Sequence, residues 1–129
     1  MGFLLLVCMV QQIISGILLA LHYSSYIFFS YYSVLHIIRD VYRGWYFHYL
    51  HSSGSSFLFG IKYLHISRGL YNNSYSYRSN LWFSGIVLCL LLMMIAFLGY
   101  VLAWGHMSFW AGTVITGVFF FIPDILFFI

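Results

Sequence analysis

The chain has 129 residues, 64% of them hydrophobic and 23% aromatic, while only 5% are charged and the formal net charge is +3. A soluble globular domain carries about a quarter charged residues, and a disordered chain is poor in aromatic and branched apolar residues, so both classes are excluded. Three apolar runs of roughly bilayer-spanning length mark a polytopic membrane protein, read as one membrane domain over residues 1–129, and its five scattered basic residues form no patch for nucleic acid.

The first run, residues 2–21, has only Gln11, Gln12 and Ser15 as polar interruptions, and at 1.5 Å rise it covers about 30 Å of hydrocarbon. Met1-Gly2-Phe3 lacks the basic start of a secretory signal, so the run is read as a retained helix. Over residues 32–45, Val34, Leu35, Ile38, Val41, Tyr42 and Trp45 recur at helical spacing, with His36, Arg39, Asp40 and Arg43 mainly elsewhere on the wheel. That pattern predicts an interfacial amphipathic helix.

The second span, residues 46–70, carries a polar tract of His48, His51, Ser52-Ser53-Gly54-Ser55-Ser56, Lys62, His65 and Arg68. Polar groups at membrane depth are tolerated where they face protein, a cofactor or water. A polar, aromatic loop follows, and residues 81–102 form a third, plain span. Trp104-Gly105 breaks it, and residues 108–117 are expected to form a second interfacial helix with Trp110, Val114 and Ile115 as its apolar face. Pro123 argues against one uninterrupted helix beyond that point. Lys62, Arg68 and Arg78 make the side joining spans two and three the more positive, and therefore the inner, side. Cys8 and Cys89 sit inside apolar runs and are read as small hydrophobes rather than a disulfide.

His51 and His65 are fourteen residues apart on one predicted helix, about 21 Å of rise with only about 40° of rotation. Both imidazoles thus project from nearly the same face at two depths, as two stacked haems each taking one ligand from this helix would require. The same spacing recurs as glycine in the flanking spans, Gly2 with Gly16 and Gly85 with Gly99, where a missing Cβ lets a flat macrocycle approach the backbone. The fold class implied is an all-α membrane protein whose three transmembrane helices form part of a haem-binding four-helix bundle. Against this stands plain packing: a membrane histidine is commonly just hydrogen-bonded, small residues commonly line helix interfaces, and His22 and His36 share the spacing across a polar turn.

The ordered runs Gln12-Ile13-Ile14-Ser15-Gly16-Ile17-Leu18-Leu19-Ala20-Leu21-His22-Tyr23, His36-Ile37-Ile38-Arg39-Asp40-Val41, Gly44-Trp45, Tyr49-Leu50-His51 and His65-Ile66-Ser67-Arg68-Gly69-Leu70-Tyr71 resemble cytochrome b of the respiratory quinol–cytochrome c oxidoreductase. The resemblance continues through Ala96-Phe97-Leu98-Gly99-Tyr100-Val101-Leu102-Ala103-Trp104-Gly105-His106-Met107-Ser108-Phe109-Trp110 and Thr113-Val114-Ile115-Thr116, with at most a one-residue shift before Trp82. It implies two b-type haems, a low-potential one with axial ligand His51 near the intermembrane side and a high-potential one with axial ligand His65 near the matrix side. Gly2, Gly16, Gly85 and Gly99 match the family's haem-packing glycines. Arg68 would pair with a propionate of the high-potential haem, with Ser74 and Trp82 nearby, and Gln12 would lie by the low-potential haem. Phe97, Tyr100, Met107 and Ile115 would wall the quinol-oxidation pocket, with ubiquinol as substrate. Bis-histidine ligation fills both axial positions and leaves iron an electron carrier.

The resemblance further implies a mitochondrial inner-membrane location, cytochrome c1 and Rieske iron–sulfur partners, surrounding lipid and a dimeric complex. The family's cytochrome b has eight spans, and its opposing histidines lie on a fourth helix. The chain is accordingly read as a piece of a split or truncated cytochrome b, inactive alone and completed by a second chain that carries the remaining helices. Departures from the family are His48 in place of an arginine, Ala103 for proline, His106 for glutamine, Phe3 for serine, and Ala111-Gly112 in the reverse of the family's order. The last adds a methyl where methoxyacrylate-type inhibitors approach and implies weaker inhibition. The rivals are a non-catalytic scaffold that kept the helices but lost haem, and a haem–copper oxidase fragment, which would want clustered histidines for copper.

Overall fold

The computed structural model describes residues 1–128, with side chains described as far as Val118. Six helices follow in order: α1 Gly2–Ala20, α2 Ile27–Arg39, α3 Gly44–Tyr71, α4 Ser74–Tyr77, α5 Ser79–Leu102 and α6 His106–Phe128. The described residues contain no strand, and the protein is the expected all-α membrane protein.

α1 and α5 are long and apolar enough to cross a membrane. α3 is the longest helix, 28 residues or about 42 Å at 1.5 Å rise, but its polar tract makes it less apolar. That tract is compatible with a helix because its hydroxyls return to their own backbone. Ser53 Oγ donates to the Tyr49 carbonyl at 2.7 Å, Ser55 Oγ to that of Ser52 at 2.7 Å, and Ser67 Oγ to that of Tyr63 at 2.8 Å.

Two expected helices have different bounds. The amphipathic stretch predicted over residues 32–45 begins earlier, at Ile27 after an extended Tyr26, and ends at Arg39. Its end is dictated by the turn into α3: Arg43 adopts the left-handed conformation (φ 56°), and a Cβ on Gly44 would sit 1.9 Å from the Ile37 carbonyl oxygen. Gly44 and Trp45 therefore open α3 instead of closing α2. At the other end, α6 starts at His106 and runs to Phe128 without the break expected at Pro123. A helix-interior proline forfeits one backbone hydrogen bond, a loss that apolar helices commonly absorb by local adjustment.

α1 packs against α3 through buried Cys8, Leu58 and Ile61, with Leu5 and Leu92 against them. Cys8 and Cys89 are free thiols, as expected of residues used for bulk. α3 runs antiparallel to its neighbours: Tyr23, just beyond α1, donates its phenol hydrogen to the carbonyl of Leu102 at the end of α5, joining these two ends on the side where α3 begins. Burial pushes the Tyr23 phenol above its ordinary pKa. Large apolar side chains otherwise point outward, among them Phe3, Ile14, Leu88 and Ile95, the arrangement of helices that meet lipid or other subunits rather than water.

Candidate cofactor-binding site

α3 carries the two histidines at two levels, and each level has its own surroundings. At the upper level, near the start of α3, His51 lies against α1. Its Nδ1 is 2.8 Å from Ser15 Oγ, and a Cβ on Gly16 would meet its Cε1 at 3.1 Å. Gln12 Nε2 donates to the His51 carbonyl at 3.0 Å, and Gln11 Nε2 reaches the Leu50 carbonyl at 3.4 Å. These side chains fix the register of α1 on α3, so the imidazole is held at a defined place on the interface.

The Ser15 contact also bears on the imidazole's tautomer. A serine hydroxyl has one hydrogen to donate, and that of Ser15, 98% buried, is directed to the Gln11 carbonyl at 2.8 Å. In that arrangement its oxygen can accept from His51 Nδ1–H, which leaves a lone pair on Nε2. A neutral imidazole with Nδ1–H engaged and Nε2 free is the ligand form of histidine.

At the lower level, α3 and α5 enclose a cavity of about 260 Å³. α3 contributes Lys62, His65, Ile66, Arg68 and Gly69; Ser74 of α4 and Arg78 follow; α5 contributes Leu81, Trp82, Gly85 and Ile86. Two helical stripes thus face one another, Lys62–Ile66–Gly69 and Arg78–Trp82–Gly85, spaced by four and then three residues in each case. The indole of Trp82 rests on Gly69, where a Cβ would approach its Cζ3 to 2.7 Å, and the Tyr75 ring stacks beside it at 6.0 Å between centroids. Beside Gly85 the cavity wall is open, with nothing within 4 Å of where a Cβ would stand. His65 Nδ1 is buried without a hydrogen-bond partner among the described residues. A buried ring nitrogen in that condition is uncommon unless something else completes the site.

His65, Arg68, Ser74, Trp82 and Gly85, all singled out in the sequence, line this one cavity. His51, Gly16 and Gln12 likewise meet at one point of the α1–α3 interface. The space beside Gly2 and Gly99 is open, and neither lines the cavity. Phe97 and Tyr100 stand near the end of α5, Met107 and Ile115 on α6; Tyr100 and Met107 are exposed. A second cavity of about 150 Å³ nearby is lined by Tyr23, Ser25, Ile27, Ser30, Val101, Leu102 and Trp104, and by none of those four. Four contributors were missed: Ser15, read only as a polar interruption; Gly69, whose signal was its place one turn beyond His65; Arg78, counted only for topology; and Lys62, read as part of the polar tract and of the inner-side charge, which stands half-buried on the cavity wall.

The family model described as "Cytochrome b/b6/petB" matches residues 1–129. The chain is 47% identical over 125 residues to cytochrome b of Dictyostelium discoideum, covering 96% of this chain and 32% of that protein. It is 49% identical over 123 residues to cytochrome b of Dictyostelium citrinum, covering 95% and 32% respectively. A solved structure titled "Hyperthermophilic respiratory Complex III" superposes with a TM-score of 0.84 at 37% identity, over 89% of this chain and 29% of that one. The chain thus spans about a third of the length of the curated relatives it matches. A match over every residue, with a shared helical arrangement, leaves one conclusion: the chain belongs to the cytochrome b family.

Proposed function

We propose that the chain is a haem-ligating, electron-transfer part of a quinol–cytochrome c oxidoreductase of the mitochondrial inner membrane, with α1, α3 and α5 as its spans. The observation that carries this reading is the cavity between α3 and α5, which collects His65, Arg68, Ser74, Trp82 and Gly85 in one place. The donor set fits a haem: an imidazole on the cavity wall, open backbone at Gly85, and cations suited to carboxylates. A bound haem of this kind supplies one-electron carriage.

The chain's own residues have defined parts in it. His65 would hold the iron of one b-type haem, while Arg68 and Ser74 take its propionate and Trp82 closes one edge. His51 would hold the second, low-potential haem through Nε2, with Ser15 keeping the hydrogen on Nδ1 and Gly16 and Gln12 fixing where the ring stands. Gly2 and Gly99 would leave room at the remaining macrocycle edges. Phe97, Tyr100, Met107 and Ile115 would wall the pocket in which ubiquinol is oxidised.

Each histidine would supply one ligand to a haem iron, and further helices of the same bundle would supply the others. Cytochrome c1 and Rieske iron–sulfur subunits are the partners proposed for the assembled, dimeric complex. Similarity to respiratory complex III over 89% of the chain supports that setting. The test is haem content in the assembled complex: His65→Ala should remove one b-type component from the reduced-minus-oxidised spectrum. A helical scaffold without haem would show no change.

A further inference from the structure

The cavity holds more positive charge than its proposed carboxylate partner alone accounts for. Lys62, Arg68 and Arg78 all line it, and no carboxylate among the described residues does. Asp40, the described acid, is engaged by His36 Nδ1 at 2.9 Å before α3 begins, at the opposite end of that helix from Arg68. Lys62 stands one turn before His65 on the same helix, half-buried in an otherwise apolar stretch. Arg78 is the residue from which α5 departs, one turn before Leu81 and Trp82. Three cations, half-buried Lys62 and exposed Arg68 and Arg78, thus line one half-open space with no carboxylate beside them, an arrangement that attracts an anion.

We infer that Lys62 and Arg78 bind and bias the group held at His65, together receiving carboxylate that Arg68 alone does not neutralise and leaving the cavity net positive. This rests on the reading of His65 as a haem ligand. A redox centre in a positive surrounding favours its reduced form, because added electron density is stabilised by the nearby charge. One unit charge on the order of 12 Å away, at an effective dielectric of about 20, changes an oxidised-to-reduced ratio about tenfold. Lys62 and Arg78 therefore raise the potential at His65 above what Arg68 alone would give. The Ser15–Gly16–Gln12 surroundings of His51 contribute no charge.

The test is equilibrium redox titration of b-type absorbance in the assembled complex carrying Lys62→Met, Arg78→Gln and both together. Each single variant should keep its haem and shift the His65-linked component up to about tenfold toward the oxidised form. The double variant should shift it about tenfold or more, equivalent to at least about 59 mV for one electron, and Lys62→Arg should restore the native value. The component linked to His51 serves as internal reference and should stay put. An unchanged midpoint in both single variants, or an equal shift of both components, overturns the inference; if the double variant fails to assemble, the singles decide. Failure of the underlying reading looks different: His65→Ala would then leave both components in place.

Discussion

His51 Nδ1 and Ser15 Oγ lie 2.8 Å apart across the α1–α3 interface, and with the serine hydrogen on the Gln11 carbonyl at 2.8 Å the imidazole can donate to the hydroxyl. The ring presents Nε2 as a consequence. Ser15→Ala should orphan Nδ1, release the tautomer and weaken retention of the low-potential haem roughly ten- to a hundredfold, the usual effect of losing a ligand's supporting hydrogen bond. Ser15→Thr keeps the hydroxyl and should restore it. Low-potential b-type absorbance per complex is the readout, and equal loss in both variants would point to packing instead.

The contact between Gly69 and Trp82 closes one edge of the lower cavity. A methyl at Gly69 would stand 2.7 Å from the indole, so Gly69→Ala should destabilise by about 1–3 kcal/mol, the range for overpacking. Adding Trp82→Leu should recover much of that loss. Thermal melts of the purified complex measure both, and simple additivity of the two substitutions would rule out the contact as the cause.

Gly44 is the tighter constraint. Its missing Cβ would sit 1.9 Å from the Ile37 carbonyl oxygen, a backbone atom with no freedom to retreat. Gly44→Ala should therefore disrupt the α2–α3 turn and sharply lower the amount of assembled protein in membranes. Arg43→Gly, at a left-handed residue, should be tolerated or stabilise by about 1 kcal/mol. Immunoblots of membrane fractions distinguish the pair.

Tyr23 ties the ends of α1 and α5 together, and burial raises its phenol pKa. The protonated form is the one the fold favours. Its contribution is fully present below the ordinary tyrosine pKa of about 10 and disappears as pH rises through the raised folded value. Tyr23→Phe should cost about 0.5–1.5 kcal/mol at neutral pH and flatten the alkaline limb of the stability profile, which wild-type and variant melts across that range will show.

Much of this was legible in the sequence because polar residues are so few. The positions of His51, His65 and Arg68 stood out against an apolar background, and the fourteen-residue spacing carried both levels of the site. What escaped was set by contacts across helices. Ser15 became informative only when its hydroxyl met His51, and Lys62 only when its stripe was seen to face α5. The end of α2 at Arg39 escaped for a different reason: helix ends answer to local geometry, here the Gly44–Ile37 approach, more than to the periodicity of the stretch. The quinol-pocket residues Phe97, Tyr100, Met107 and Ile115 came from resemblance alone, and no cavity described in the structure collects them.

The most direct measurement is the reduced-minus-oxidised optical spectrum of the assembled complex carrying His51→Ala or His65→Ala. The predicted result is loss of one b-type component in each variant, the low-potential one with His51→Ala and the high-potential one with His65→Ala. Full b-type absorbance in both variants would contradict the assignment of these two histidines as haem ligands.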